Sequence, residues 1–418
     1  MNARSRVLRE PSPTTDPQRQ LLLIATATVL AMALWFSASA VSAEIQTEWG
    51  LGRWGRSLLT SSVQLGFVCG ALGSAIVALP DRIDPRLLFA WCAALASLMT
   101  ALMAWVGTGL ASGSLLRFLT GVFLAGVYPV GMKLMTSWFV EGRSWALGVM
   151  VGALTLGSSL PYLISSSSDL EWRTVLLVAS VLGVAASVVT WRFIRIGPHL
   201  GPPAAFDRTY AVRMFQDRRQ RLINVGYLGH MWELYALWAW LPAFLAAGHL
   251  ARTGEPLGRM TSGLLSFAAI GVAGLVGCLI AGRVAVARGP IPVARIALMT
   301  SGACCLFSPL LFTAHPVLLV TFALVWGAAV IADSAQFSAA LSTATDSMYV
   351  GTALSVQTAL GFALTTLTIQ GIPWLAGAVG WQYALVFLAL GPLVGAWATL
   401  QLTLTPQPAH GAGPDQSH

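Results

Sequence analysis

The sequence predicts an all-α polytopic membrane protein with twelve transmembrane helices, and three observations predict it. Apolar stretches of about twenty residues follow one another along most of the chain, separated by short turns, and a hydrocarbon core about 30 Å thick asks for roughly 20 such residues per helix. Hydrophobic residues make up 56% of the chain and charged ones only 10%, with mean hydropathy +0.72; a soluble domain carries roughly 25% charge. The remaining charge, net +8 and nearly all Arg, falls mostly in alternate loops, which is the signature of topology rather than of a nucleic-acid surface. A soluble fold is excluded. In lipid every backbone group must be paired within its own span, so packed helices follow.

Windows bounded by charge, Gly and Pro place the spans, in order, at 20–43, 57–79, 86–107, 114–137, 145–166, 173–195, 223–247, 260–283, 291–313, 316–340, 351–372 and 378–401. The first needs its own justification. Arg-rich residues 4–19, an apolar run from Leu21 and the Ala38-Ser39-Ala40 triplet imitate a secretory signal. The run lasts through Val41 and further spans follow at once, whereas a signal core is roughly 7–15 residues, so an uncleaved helix is expected. With the N-terminus inside, the inner loops carry Arg4, Arg6, Arg9 and Arg19, then Arg82 and Arg86, Arg143, and Arg283, Arg288 and Arg295. The outer loops carry Arg53, Arg56, Arg173, Arg252 and Arg259, offset by Glu44, Glu48, Asp169, Glu171 and Glu255. Both termini are therefore expected in the cytoplasm.

One connection is long. Residues 196–222 hold Gly201-Pro202-Pro203 and then Arg208, Arg213, Arg218, Arg219 and Arg221, an orientation signal more than a lipid-headgroup patch. The expected organisation is a tail at 1–19, a six-helix half at 20–195, a basic linker at 196–222, a second six-helix half at 223–401 and a tail at 402–418.

The five cysteines, Cys69, Cys92, Cys278, Cys304 and Cys305, lie within spans without CxxC or Cys/His spacing, so neither a disulfide framework nor a metal site is indicated. No Gly-rich phosphate loop or Ser-His-Asp order occurs, and no extramembrane segment is long enough for a nucleotide-binding domain. That excludes an ATP-driven pump. No cofactor, metal or nucleic-acid partner is expected, and energy must come from an ion gradient or from the solute's own.

An internal repeat points to a family. The inner loop between spans 2 and 3 reads Ala78-Leu79-Pro80-Asp81-Arg82-Ile83-Asp84-Pro85-Arg86, and the equivalent loop between spans 8 and 9 reads Gly282-Arg283-Val284-Ala285-Val286-Ala287-Arg288-Gly289. Both resemble the G-x-L-A-D-R-x-G-R-R loop of the major facilitator superfamily. In span 4, Arg117-Phe118-Leu119-Thr120-Gly121 followed by Gly126 is similar to that family's R-x-x-x-G motif. The resemblance covers the chain and implies two six-helix bundles related by a repeat, a central solute cavity and alternating access. It also implies a bacterial inner-membrane permease with lipid, a small-molecule substrate and protons as its partners, working as a monomer. There are departures. Val77 replaces the leading Gly of the first loop, and Val286 the acid of the second; span 5 has Gly148, Gly152 and Gly157 with Pro161 alone, not the Gly-Pro pair of the proton antiporters. A loop acid that locks one conformation is left to Asp81, with Arg82, Arg86, Arg283 and Arg288 as the accompanying gate charges.

An ionisable side chain inside a span costs several kcal/mol unless paired or hydrated, so each one is a functional candidate. Span 7 places His230 and Glu233 three residues apart on one face, and span 10 places Asp333 and Gln336 likewise. A carboxyl beside an imidazole reads as a proton relay, because histidine titrates near neutral pH; the alternative is a hydrogen-bonded structural pair. Arg117 joins the coupling set and, with Tyr128 and Lys133, the candidate cavity. Lys133 lies near enough the inner end to snorkel. Trp35, Trp232 and Tyr235 lie deep enough to line a cavity for a ring-bearing or apolar solute, and Gln64 and Gln357 are mid-span amides able to hydrogen-bond one. The expected activity is proton-coupled secondary transport of a small organic solute. Export of hydrophobic compounds is the alternative, ahead of a polytopic enzyme or a non-transporting sensor.

Overall fold

A computed structural model describes residues 16–139, 142–167, 170–200, 206–346 and 348–404. Arg4, Arg6, Arg9, Asp169, the Gly201-Pro202-Pro203 segment and the C-terminal tail from 405 lie outside the described residues. Eleven helices among the described residues are long and apolar enough to cross a membrane. They are span 2 (Arg53–Val77), span 3 (Pro85–Val106), span 4 (Leu110–Thr136), span 5 (Trp145–Ser165), span 6 (Trp172–Phe193), span 7 (Arg218–Thr253), span 8 (Arg259–Arg288), span 9 (Pro290–Leu311), span 10 (Pro316–Thr343), span 11 (Val350–Val379) and span 12 (Trp381–Leu404).

The first span differs from expectation. It runs as a helix only over Pro17–Met32, turns through Ala33–Phe36 and resumes at Ser37–Ala40, with a further short helix at Ser42–Glu48. Its start follows the local rules: the Asp16 carboxylate accepts from the Gln18 N–H at 2.9 Å, and Pro17 occupies the first turn. Its interruption contains no Gly or Pro. The freed carbonyls of Leu34 and Trp35 are instead taken up by Arg117 of span 4, a tertiary cause rather than a local one.

Other boundaries are local. Asp84 caps span 3, accepting from the Arg86 N–H at 2.9 Å, and Asp217 caps span 7, accepting from the Gln220 N–H at 2.7 Å. Span 7 therefore starts five residues before its predicted edge at 223, taking in Arg218, Arg219 and Arg221. Gly254 ends it at φ +76°, a left-handed turn that glycine adopts without steric cost. Spans 4 and 10, which hold the same place in the two halves, are both interrupted: span 4 between Leu124 and Tyr128, span 10 at Asp333.

Spans 1–6 pack among themselves, as do spans 7–12, and the strongest contacts between the two sets are span 2 with span 11 and span 5 with span 8. Small residues set those distances. A Cβ added at Gly66 or Gly121 would run into the other helix's backbone within the span 2–span 4 seam, and one at Gly263 would meet the Tyr162 carbonyl between spans 5 and 8, where Gly271, Gly274 and Gly152 face the Ser159, Thr155 and Leu275 side chains. Span 8 widens to a π-helical turn over Phe267–Ala273 along that seam, a distortion frequently found at functional sites. The linker touches both halves. The Gly197 and His199 N–H groups donate to Ser137, while Tyr210 of the short helix Arg208–Arg213 stacks on Tyr349 at 4.2 Å.

At the end of the molecule opposite the linker, polar contacts bind the halves together. The Gln370 amide of span 11 takes two hydrogen bonds on span 2: Ser57 Oγ donates to its Oε1 at 2.6 Å, and its Nε2 donates to Ser61 Oγ at 2.8 Å. Arg259 of span 8 donates to the Ser165 carbonyl of span 5 at 2.8 Å, and Tyr162 Oη donates to the Trp238 carbonyl at 2.9 Å.

Candidate functional site

Where the halves meet at mid-depth, rings from both interlock. Trp35, on the unwound turn of span 1, is fully buried and stacks on Tyr235 of span 7 at 5.7 Å; it also touches Phe67 and Phe362 at 5.0 and 5.3 Å. Phe36 lies parallel to Tyr235 at 6.1 Å and edge-on to Trp238. Set into and beside this layer are buried polar groups without hydrogen-bond partners: Trp35 Nε1, Trp238 Nε1, both amide atoms of Gln64, and Gln357 Nε2. An unmet buried donor or acceptor costs about 1–3 kcal/mol, so each of these atoms calls for a partner that a bound solute could supply. Trp35, Tyr235, Gln64 and Gln357 thus come to the interface region. Tyr128 is part-buried at the restart of span 4, and Gln336 is buried one turn beyond Asp333.

The spacing of His230 and Glu233 suggested one relay, and the geometry separates them. His230 Nδ1 lies 2.7 Å from Asp333 Oδ1, both side chains almost fully buried. The pair joins span 7 to the interruption of span 10, and His230 Nε2 has no partner. Glu233 turns away into the C-terminal bundle, where a single carboxylate oxygen accepts from Ser301 Oγ at 2.6 Å, Trp326 Nε1 at 2.6 Å and Cys305 Sγ at 3.2 Å. Neighbours one turn apart on a helix need not share a partner, since each answers to a different adjacent helix.

Three other expectations are corrected by contacts. Arg117, fully buried, donates to the Leu34 carbonyl at 2.9 Å, to Ser37 Oγ at 3.3 Å and to the Trp35 carbonyl, so it holds open the turn that presents Trp35. Lys133 does not enter the cavity layer: its ammonium ion-pairs with Asp81 and donates to the Pro80 carbonyl at 2.8 Å. Asp81 accordingly makes its charge contact inside its own half. Arg86 is paired with Asp84 at 2.6 Å, and Arg82 and Arg288 are exposed; the gate charge that crosses between halves is Arg283, whose guanidinium lies over the Trp145 ring at 4.4 Å. Trp232 faces span 12, donating to the Phe387 carbonyl at 3.3 Å, rather than the interface.

Sequence reasoning missed Gln370 and the donors around Glu233. Ser301 and Cys305 stand four residues apart on span 9, the spacing of one helical face, and that polar pair in an apolar span was the available signal.

Two bundles meeting along spans 2, 5, 8 and 11 define the architecture of the chain. The sequence model of the Major Facilitator Superfamily matches residues 23–369, and the chain belongs to that family. A curated relative, the D-galactonate transporter of Escherichia coli O6:H1 (strain CFT073), is 28% identical over 166 residues, 36% of this chain. The match spans about a third of that relative's length, 35%. Two solved structures share the fold: the nucleoside transporter NupG, with TM-score 0.70 and 15% identity over 92% of this chain and 99% of that one, and a bacterial homologue of the human lysosomal transporter Spinster, with TM-score 0.70 and 13% identity over 94% and 98%.

Proposed function

We propose that this protein is a proton-coupled secondary transporter of a small organic solute, working by alternating access with both termini in the cytoplasm of a bacterial inner membrane. The observation that carries the reading is the His230–Asp333 pair, an ionisable contact buried at the break of span 10 beside Tyr227, whose ring lies 6.0 Å from that of His230. Parting a buried pair of this kind leaves each group without its partner, at a cost of several kcal/mol, so the contact and the packing of span 10 depend on one another. Glu233, held by three donors, is a second acid within reach of the same helix. The solute site is the ring layer, with Trp35, Tyr235, Gln64 and Gln357 supplying stacking faces and amides; the carboxylate-bearing and nucleoside substrates named for the relatives are of that size and mixed polarity. On this orientation the end sealed by Gln370 is the outer one, supported by the distribution of Arg between the loops.

The test is transport in proteoliposomes with and without an imposed pH gradient, on a panel of sugar acids and nucleosides. Asp333→Asn should abolish gradient-driven accumulation while preserving solute exchange at zero gradient. Undiminished accumulation in Asp333→Asn would reject the assignment of the coupling proton to this pair, and a chain that moves no panel solute down its gradient would reject the transporter reading with this solute class.

A further inference from the structure

At the end sealed by Gln370, a cavity of about 430 Å³ lies between the halves, lined by Gln46, Arg53 and Arg56 from the first and Trp240, Pro373, Ala376, Gly377 and Trp381 from the second. Its charge is one-sided. Neither Arg53 nor Arg56 is ion-paired among the described residues, whereas Arg173 pairs with Glu48 and Arg259 with Glu44.

Arg56 is held ready rather than free. Its Nε donates to Ser42 Oγ at 3.1 Å, one Nη donates to Gln46 Oε1 at 3.4 Å, and the guanidinium lies 5.3 Å from the Trp240 ring centre. Arg53 reaches across from span 2 to lie against Gly377 of span 11, where a Cβ would displace its guanidinium. The two indoles, 6.0 Å apart, form the apolar wall, and Trp240 is fixed by donating to the Ile369 carbonyl at 3.0 Å. Two forked cations opposite two flat rings fit one ligand chemistry. A carboxylate accepts planar, bidentate hydrogen bonds from guanidinium, and a ring or hydroxylated body stacks on indole.

We infer that this cavity is a binding site for an organic carboxylate, separate from the ring layer at mid-depth and composed from both halves. Because Arg53 and Arg56 come from one half and Trp240 and Trp381 from the other, an occupant is gripped only while this end is closed, and binding therefore favours the closed arrangement. The site is aqueous-facing and its ligand is a free solute. An anionic lipid headgroup carries phosphate of similar chemistry, and the test separates the two.

The experiment is equilibrium binding by calorimetry on the full chain in nanodiscs of zwitterionic phosphatidylcholine, with benzoate and gluconate as probes and benzyl alcohol as the uncharged control. Equilibrium binding needs no transport, so its outcome is independent of the coupling mechanism. Benzoate or gluconate should bind and benzyl alcohol should not. Arg53→Gln and Arg56→Gln should each weaken the carboxylate at least tenfold, Arg56→Lys should restore part of the loss at best, and Trp381→Ala should weaken benzoate several-fold. Arg218→Gln, an exposed cation at the opposite end, should leave this affinity unchanged. Binding that survives both Arg substitutions, or that is lost equally with Arg218→Gln, would overturn the assignment. Loss of carboxylate binding when the discs contain phosphatidylglycerol would assign the site to lipid and overturn it as well. If the Gln variants fail to fold, Gly377→Ala, which displaces the Arg53 guanidinium without removing a charge, gives the same reading.

Discussion

Gln370→Ala removes the amide that spans 2 and 11 share and should open the end that it seals. Ser57 Oγ and Ser61 Oγ each lose one hydrogen bond, of 2.6 and 2.8 Å. Neither is orphaned, because Ser57 also reaches the Arg53 and Trp54 carbonyls at 3.1 Å and Ser61 the Leu58 carbonyl at 3.4 Å. The cost is therefore the net worth of two bonds, about 0.5–1.5 kcal/mol each, without the larger penalty of an unsatisfied buried group. Together that is about 1–3 kcal/mol, a roughly 5- to 150-fold shift in the ratio of closed to open states. Spin labels at Trp54 and Val379, both exposed at the Gln370 end of these spans, report the change as a distance distribution by double electron–electron resonance. The wild type should show a dominant short distance, and Gln370→Ala a gained longer one with unchanged thermal stability. An unaltered distribution would refute the reasoning, since no other group replaces a bridging amide.

Four further outcomes are expected. Arg117→Ala should lower folding yield or transport sharply, and Arg117→Lys should recover little, because a single ammonium cannot serve the Leu34 and Trp35 carbonyls together; proteoliposome flux measures it, and full activity in Arg117→Ala would remove the role. Asp81→Asn should loosen the Lys133 contact within the first half and raise cysteine accessibility at Leu79 without changing Arg283 packing. Glu48 accepts from Arg173 at 2.6 Å and from Trp172, which hold its carboxyl below the usual range; the stability it contributes is present above its ordinary titration point near pH 4.3 and is lost as pH falls through its depressed value. The pair is exposed and worth under about 1 kcal/mol, so the thermal midpoint should fall slightly more below pH 4 in wild type than in Glu48→Gln. Single cysteines at Arg173 and Asp207 should label from opposite sides of the membrane, the first from outside.

Element length was legible because bilayer thickness imposes it, so eleven of the windows map onto single helices. The breaks were not. Span 1 unwinds at Ala33-Leu34-Trp35-Phe36 and span 10 at Ala332-Asp333 with neither Gly nor Pro to announce it, because the energy that holds them open comes from Arg117 in one case and lies beside His230 in the other. A residue's type at a given depth was readable, and its partner was not. His230, Glu233, Asp333 and Arg117 were each found as costly intramembrane groups, but helical spacing fixes only which face a side chain leaves from. Which of two adjacent helices it meets depends on packing between segments a hundred residues apart.

The two halves use their deeply buried charge differently. In the first half the interruption of span 1 is held by a buried cation, Arg117 of span 4, whose partners are the Leu34 and Trp35 carbonyls and the Ser37 hydroxyl. In the second half span 7 runs unbroken and span 10 breaks at Asp333 against His230, with Glu233 one turn further along. Carbonyls offer a proton nothing to bind, whereas a carboxylate and an imidazole do. Arg117 thus holds the turn that sets Trp35 in the ring layer, while the His230–Asp333 contact stands at the span 10 break. On the proposed coupling, the span 10 break changes its packing as the halves rock. The π-helical turn of span 8 runs along the span 5 seam, and Gly327 of span 10 packs against the Ala269 backbone within it. Gly327 stands six residues ahead of Asp333, so on the proposed mechanism this contact joins the seam to the span 10 break.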